Sequence, residues 1–197
     1  MKQFVQYASA FLVGLVVLGC SDSHTGPRDP QSPSYSVERV NGRSGFSVKG
    51  TVVSSKNEVI EINGGGSFDP STARNELGAP TSGHGTGGFS CVTDITAGQL
   101  AGCKQGEGTH WDTVQLLQSA GFKCGGVANE TKKTATTTGD VIVLQADFYR
   151  AGDGPNASFH SQIFIANYDL ADDVPGFQNV WIQGFGCGTA TVNFNGN

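Results

Sequence analysis

Three histidines are the residues of this sequence best suited to acid–base chemistry. They are His84 in SGHGTGG, His110 in THWD and His160 in FHSQ. A hydrolase would need a serine nucleophile beside one of these imidazoles and a carboxylate behind it. The chain contains no G-x-S-x-G elbow, and Ser44 in GRSGF lacks that spacing. We therefore expect no catalytic residue and keep a secreted hydrolase that uses one of the three histidines as an alternative.

Two groups of side chains have the chemistry of metal ligands. The first is His110, Asp112 and His160, which lack an HExxH motif or any helical i, i+4 pair. The second consists of three aspartates in YDLADD: Asp169, Asp172 and Asp173. Their oxygens suit calcium, but the D-x-D-x-D-G spacing is missing, and aspartates commonly cap turns. We expect no cofactor, and a calcium-stabilised adhesion-type module is a further alternative.

Aromatic residues concentrate in the last third of the chain and suggest a binding surface. Because successive side chains of a strand point to opposite faces, some of these rings must point away from the core. An exposed aromatic stripe could stack on sugar rings or anchor a protein partner. The candidate binding residues are Tyr149, Tyr168 and Trp181.

The composition favours short strands joined by tight turns. Glycine accounts for 29 of 197 residues, roughly twice its usual share of ~7%. Apolar residues alternate in GFSVKGTVV (45–53), EVIEIN (58–63) and SFHSQIFIANYD (158–169), as in half-buried strands. We therefore predict a mainly β domain, either an antiparallel β-sandwich or a small barrel, with one short helix.

The spacing of apolar and turn-forming residues predicts where the single helix and one long loop lie. In THWDTVQLLQSAG (109–121), Trp111, Val114 and Leu117 share one helical face, and Gly121 is a stop signal. The segment STARNELGAPTSGHGTGG (71–88) is predicted to be a polar loop, because GGGSFDP ends the strand pattern before it.

The charge of the chain argues against nucleic acid as a partner. The formal net charge is −5, and Lys132-Lys133 is the only adjacent basic pair. Nucleic-acid-binding domains usually carry a basic patch or stripe.

Four of the five cysteines suggest two disulfides. They are Cys91, Cys103, Cys124 and Cys187, an even number in an exported chain. Three connectivities are possible, and we favour Cys91–Cys103 with Cys124–Cys187. A metal site is the alternative, although CxxC-type spacing is absent.

The fifth cysteine lies at the end of an N-terminal export signal. Lys2 precedes a short apolar run, Phe11 to Leu18, which is too short to span a bilayer. The ending Leu18-Gly19-Cys20 resembles the lipobox of bacterial lipoproteins. The resemblance implies cleavage after Gly19 and acylation of Cys20, including a palmitate-type chain. With Ser21 rather than Asp after the cysteine, it also favours the outer membrane over the inner membrane.

These observations give a domain plan and an expected function. Residues 1–19 are the signal peptide, 20–36 a Pro/Ser-rich tether, and 37–197 a single β-rich domain. The closing VWIQGFGCGTATVNF (180–194) resembles secreted all-β modules of uncharacterised role in environmental bacteria, and it transfers no site. We expect a lipoprotein of the bacterial cell envelope, held to the bilayer through acylated Cys20, whose non-catalytic domain binds a glycan or protein ligand.

Overall fold

The chain forms ten strands and one short 3-10 turn across the residues that the computed structural model describes, 42–149 and 158–195. The strands are β1 (Ser44–Ser54), β2 (Val59–Phe68), β3 (Gly83–Cys91), β4 (Gly108–Leu117), β5 (Ser119–Phe122), β6 (Lys133–Thr136), β7 (Val141–Tyr149), β8 (Ser158–Ala166), β9 (Val180–Ile182) and β10 (Gly186–Asn195). The 3-10 turn covers Pro70–Thr72.

Eight of these strands close into an antiparallel barrel. Their order is β1-β10-β9-β8-β7-β4-β3-β2, and β2 pairs again with β1. The remaining two strands, β5 and β6, form a separate two-stranded sheet. The predicted antiparallel β class is confirmed, and of the two architectures that we expected the barrel is the one formed.

Glycines on β2 and β3 make room inside the barrel for the indole of Trp111. Gly64 and Gly87 are register partners, and a Cβ added at either would lie 2.5 to 2.6 Å from an indole atom. Trp111 is fully buried, and its indole nitrogen donates a hydrogen bond to the carbonyl of Asn63 at 3.0 Å. The glycine-rich segments are strands, and at these two positions only glycine leaves space for the indole. The prediction of a loop over 71–88 is wrong after residue 82, and β2 continues to Phe68.

The segment predicted as a helix, 109–121, is instead made of β4 and β5. A β-bulge between Thr113 and Gln115 shifts the register of β4 against β7. Trp111 and Leu116 therefore both belong to the barrel core, whereas Leu117 joins a second cluster on the other face. Because β4 buries residues on both of its faces, its apolar residues have a spacing in the sequence that resembles one face of a helix. The described residues include no helix that is long and apolar enough to cross a bilayer.

A second hydrophobic core lies between the barrel wall and the β5–β6 sheet. Its aromatic centre is Phe122, Phe164 and Trp181, with ring centroids 4.6 to 5.9 Å apart. Phe122 comes from β5, while Phe164 and Trp181 come from the barrel strands β8 and β9. This cluster is what holds the small sheet against the barrel.

Two disulfides fasten the loops to this framework. Cys91 is bonded to Cys103, and Cys124 is bonded to Cys187, which is the pairing that the sequence favours. The second bond joins the segment after β5 to β10, across 63 residues of chain. Closing so long a loop restricts the unfolded chain more than closing the 12-residue loop of the first bond.

A buried carboxylate fixes the turn between β1 and β2. Glu58 accepts hydrogen bonds from the backbone N–H and the hydroxyl of Thr96, and from the hydroxyl of Ser54. These bonds, led by that of the Thr96 hydroxyl, hold the pKa of Glu58 below its ordinary value of 4.5. Glu58 therefore ties the loop after β3 to the β1–β2 turn more strongly in its ionised form than in its neutral form.

Replacing Gly87 with alanine should destabilise the barrel. The new Cβ would fall 1.9 Å from the Asn63 carbonyl and 2.6 Å from the indole nitrogen, so strand or ring must shift. Overpacking of this kind costs about 1–3 kcal/mol or more. The matched control is Gly139→Ala, whose Cβ meets nothing within 4 Å. Urea unfolding measures both variants, and an unchanged midpoint for Gly87→Ala would contradict the packing described.

Replacing Glu58 with glutamine should destabilise the protein most at neutral pH. A lowered pKa means that the stabilisation is complete above the ordinary pKa and is lost as the pH falls through the lowered one. The difference in free energy of unfolding between wild type and Glu58→Gln should therefore become smaller as the pH falls from about 7 to about 3. Denaturant midpoints at both pH values test this, with the exposed Glu61→Gln as control. A gap independent of pH would show that the carboxylate charge is irrelevant.

Candidate functional site

The barrel interior is filled by side chains, so it is not the place where a ligand binds. All eight strands contribute buried residues, including Phe46, Ile62, Phe89, Trp111, Leu144, Ile163, Val180 and Ala190. A barrel of eight strands is just wide enough for side chains to fill it. Any ligand of this domain must therefore bind to the outer surface or to the loops.

A row of histidine and aspartate side chains crosses the outer face of β4, β7 and β8. Asp112 and Asp147 are direct cross-strand partners, and Asp147 is also the partner of His160. His160 Nδ1 contacts Asp147 Oδ1, and His110 Nε2 lies 3.6 Å from Asp112 Oδ2. Two carboxylates directly opposite each other repel. In this row each carboxylate faces an imidazole, which offsets the repulsion when the ring is protonated.

Tyr149 extends this row with an aromatic surface. It is the cross-strand partner of His110, and the two rings stack with centroids 4.4 Å apart and planes 8° apart. Tyr149 is half-buried, whereas the His110 side chain is 60% exposed. The outer face of β4 and β7 therefore offers a stacked, partly exposed pair of rings beside carboxylates.

A shallow groove borders the row on its β3 side. It has a volume of about 480 Å³ and is lined by eight residues, namely Gly65, Gly66, Ser67, His84, Gly85, Thr86, Asp112 and Thr113. Glycines form part of its floor, so a ligand could approach the sheet closely there. Asp112 belongs to both the groove and the row. Together they form one continuous polar surface, which we call the outer polar face.

The three aromatic residues predicted to bind a ligand lie on different parts of the domain and differ in exposure. Tyr149 lies on the outer polar face, as described above. Tyr168 is 46% exposed on the loop after β8, away from the row. The prediction for Trp181 is wrong, because its ring is only 5% exposed and packs in the second core. It does point outward from the barrel, but the β5–β6 sheet covers it.

In the part of the chain that the structure describes, no hydrogen bond joins a serine hydroxyl to any of the three histidines. Among the described residues, the ion-pair partners of His110 and His160 are aspartates, and the His160 side chain is 68% exposed. His84 is exposed in the groove, opposite Ser67 in the β2–β3 register. None of the three is enclosed in a cleft that excludes water.

The aspartates proposed for calcium serve the structure of their loop. Asp169 accepts hydrogen bonds from the backbone N–H groups of Ala171 and Gln178. Asp173 pairs with Lys133 and accepts a hydrogen bond from the Thr131 hydroxyl at 3.0 Å. Asp172 is exposed. Residues 42–149 and 158–195 contain no group of three or more His, Cys, Asp or Glu side chains arranged to hold a metal ion.

Sequence reasoning combined His110, Asp112 and His160 but missed the residue that joins them. Asp147 lies on β7, between the strands that carry the others, and its side chain is 18% exposed. The available signal was the alternation in DVIVLQADFYR, which places Asp147 and Tyr149 on the same face. The predicted lipidation residue, Cys20, lies outside the described residues.

Comparison of the chain with protein-family models, curated proteins and solved structures found no match. The fold therefore defines the class, a small antiparallel β-barrel with two disulfides and a filled interior.

Proposed function

We propose that this protein is a lipid-anchored binding protein of the bacterial cell envelope, whose barrel domain binds a glycan on its outer polar face. The observation that carries the proposal is the filled barrel interior. Since side chains from all eight strands occupy it, recognition falls to the surface. On that surface the stacked rings of His110 and Tyr149 lie beside carboxylates.

The chemistry of the outer polar face suits a sugar better than an apolar ligand. The ring face that the His110–Tyr149 stack leaves open can pack against the C–H face of a sugar ring, as apolar surfaces do. Asp112 and Asp147 can accept hydrogen bonds from hydroxyl groups, while His110 and His160 can donate or accept them. Among the described residues, no aspartate or histidine is buried in the core, whereas these four lie next to one another on the outer polar face. A protein ligand would use the same surface and is the alternative occupant.

The lipid anchor is supported by the chemistry of the cysteines. Cys91, Cys103, Cys124 and Cys187 pair with one another, so the chain holds no second cysteine to pair with Cys20. A thiol that follows an apolar run and a small residue in an exported chain fits acylation. Two or three acyl chains give stable anchoring, since each buried methylene contributes about 0.8 kcal/mol. The outer membrane is the proposed location, on the basis of Ser21.

The test uses native protein extracted in detergent from bacterial membranes. Intact-mass and N-terminal analysis should show a chain that begins at Cys20 and carries fatty acids. The same preparation is then applied to an array of bacterial envelope glycans. Tyr149→Ala should weaken glycan binding by at least about tenfold, as expected for an aromatic residue central to a binding surface.

The matched control is Tyr168→Ala, which removes an exposed tyrosine from a different surface and should leave binding unchanged. Loss of binding in both variants, or no binding to any glycan, would contradict the assignment of the ligand site. A different N-terminus or the absence of fatty acids would contradict the anchor. Release of cleaved sugar would favour the hydrolase alternative.

A further inference from the structure

The loop between the 3-10 turn and β3 presents an exposed leucine. We call residues 73–82 the Leu77 loop, and Leu77 itself is 80% exposed, more than any other large hydrophobic side chain in the described ranges. Val114, on the bulge of β4, is 54% exposed and precedes the residue that holds this loop. Single exposed apolar residues are common. What distinguishes this one is the fixed backbone that carries it.

A buried glutamine fixes the Leu77 loop. The Gln115 side chain is only 5% exposed, donates to the carbonyls of Arg74 at 3.1 Å and Glu76 at 2.7 Å, and accepts from the N–H of Gly78 at 3.1 Å. These three bonds surround Leu77 on both sides. A buried side chain therefore uses both of its N–H donors and its carbonyl oxygen on the backbone of one exposed loop.

A second clamp holds the same loop from the β5 side. The Asn75 amide donates to the Ser119 hydroxyl at 3.0 Å and accepts from the Ser119 N–H at 3.0 Å. The loop backbone is thus ordered before any partner arrives. An ordered loop binds with less loss of conformational freedom, which is typical of a preformed contact element.

The base of the Leu77 loop lies beside the first residue that the structure describes. Asp69, just before the loop, donates its N–H to the carbonyl of Ser82 at 2.8 Å. A Cβ at Gly42, the first described residue, would lie 3.9 Å from the Asp69 carboxylate. Cys20 precedes Gly42 by only 22 residues, a contour of at most about 80 Å. This end of the barrel is therefore the one connected to the proposed lipid anchor.

We infer that the Leu77 loop contacts the surface of the lipid bilayer and holds the barrel with this end toward the membrane. The inference rests on the proposed acylation of Cys20. Leu77 would enter the interface between headgroups and acyl chains, where an apolar side chain is stable. Arg43 and Arg74, both exposed near the loop base, would remain at the level of the lipid phosphates. One guanidinium nitrogen of Arg74, Nη1, donates to the carbonyls of Ser71 and Ala73, which leaves the other for a phosphate.

This orientation leaves the outer polar face accessible. Val143 pairs with Leu117 beside the Leu77 loop, and Tyr149 lies six residues further along β7. At about 3.3 Å per residue, the stacked rings are about 20 Å from the loop end of the barrel. A glycan in the space above the membrane could therefore reach them while the barrel is docked.

The experiment places a tryptophan at the loop and measures its contact with lipid. Acylated Leu77→Trp protein is reconstituted in phosphatidylcholine vesicles, and quenching by brominated phosphatidylcholine is recorded. The matched control is Val92→Trp, at an exposed valine directly after β3. The N–H of Val92 donates to the carbonyl of Val59 at the start of β2, about 30 Å along that strand from the Leu77 loop. The native Trp111 and Trp181 are buried and supply a constant background. We expect a loss of about half of the added fluorescence for Leu77→Trp and little loss for Val92→Trp.

Flotation of the same vesicles separates the two proposals. If the protein floats but Leu77→Trp is quenched no more than Val92→Trp, the inferred contact is wrong and the anchor stands. If acylated protein cannot be obtained or does not float, the anchor is wrong and the inference fails with it. Flotation with quenching confined to Leu77→Trp supports both.

Discussion

The barrel depends on one contact, the burial of the Trp111 indole against Gly64 and Gly87. No side chain larger than hydrogen fits at those two positions, and the indole nitrogen is satisfied by the Asn63 carbonyl. The contact joins β2, β3 and β4, which are consecutive in the barrel wall. It explains why a glycine-rich stretch, which would weaken an ordinary strand, forms the part of the sheet that lies closest to the largest core residue.

Filling the interior has a functional consequence. Eight-stranded barrels that hold ligands leave space inside, and this one uses the space for its own core. A second core, beneath the β5–β6 sheet, covers part of the outer wall around Phe164 and Trp181. The face of β3, β4, β7 and β8 stays open and carries His84, Asp112, Asp147, His160 and the stacked pair of His110 and Tyr149. The outer faces of β1, β2 and β10 are exposed as well. The candidate site is therefore defined by its concentration of histidine, aspartate and tyrosine side chains.

Much of this architecture could be predicted from the sequence, and the failures have specific causes. Alternating residues in β1, β2 and β8 indicated the antiparallel class, and the spacing of the cysteines favoured the pairing that is present. The helix prediction failed because the bulge at Thr113–Gln115 gives β4 a spacing of apolar residues that resembles a helical face. The loop prediction failed because the need for glycine at position 87 arises from contact with Trp111, a residue 24 positions away in the sequence. The role of Asp147 depends on strand pairing in the same way, since pairing alone brings it beside His160.

The most direct test of the account is the hydrogen exchange of the Trp111 indole N–H, followed by NMR. The proton is fully buried and bonded to the Asn63 carbonyl, so we predict exchange only through global unfolding. Its protection should then match the free energy of unfolding measured with denaturant. Exchange that is orders of magnitude faster would mean that water reaches the centre of the barrel. The interior would then be open to a ligand, and the assignment of recognition to the outer polar face would be contradicted.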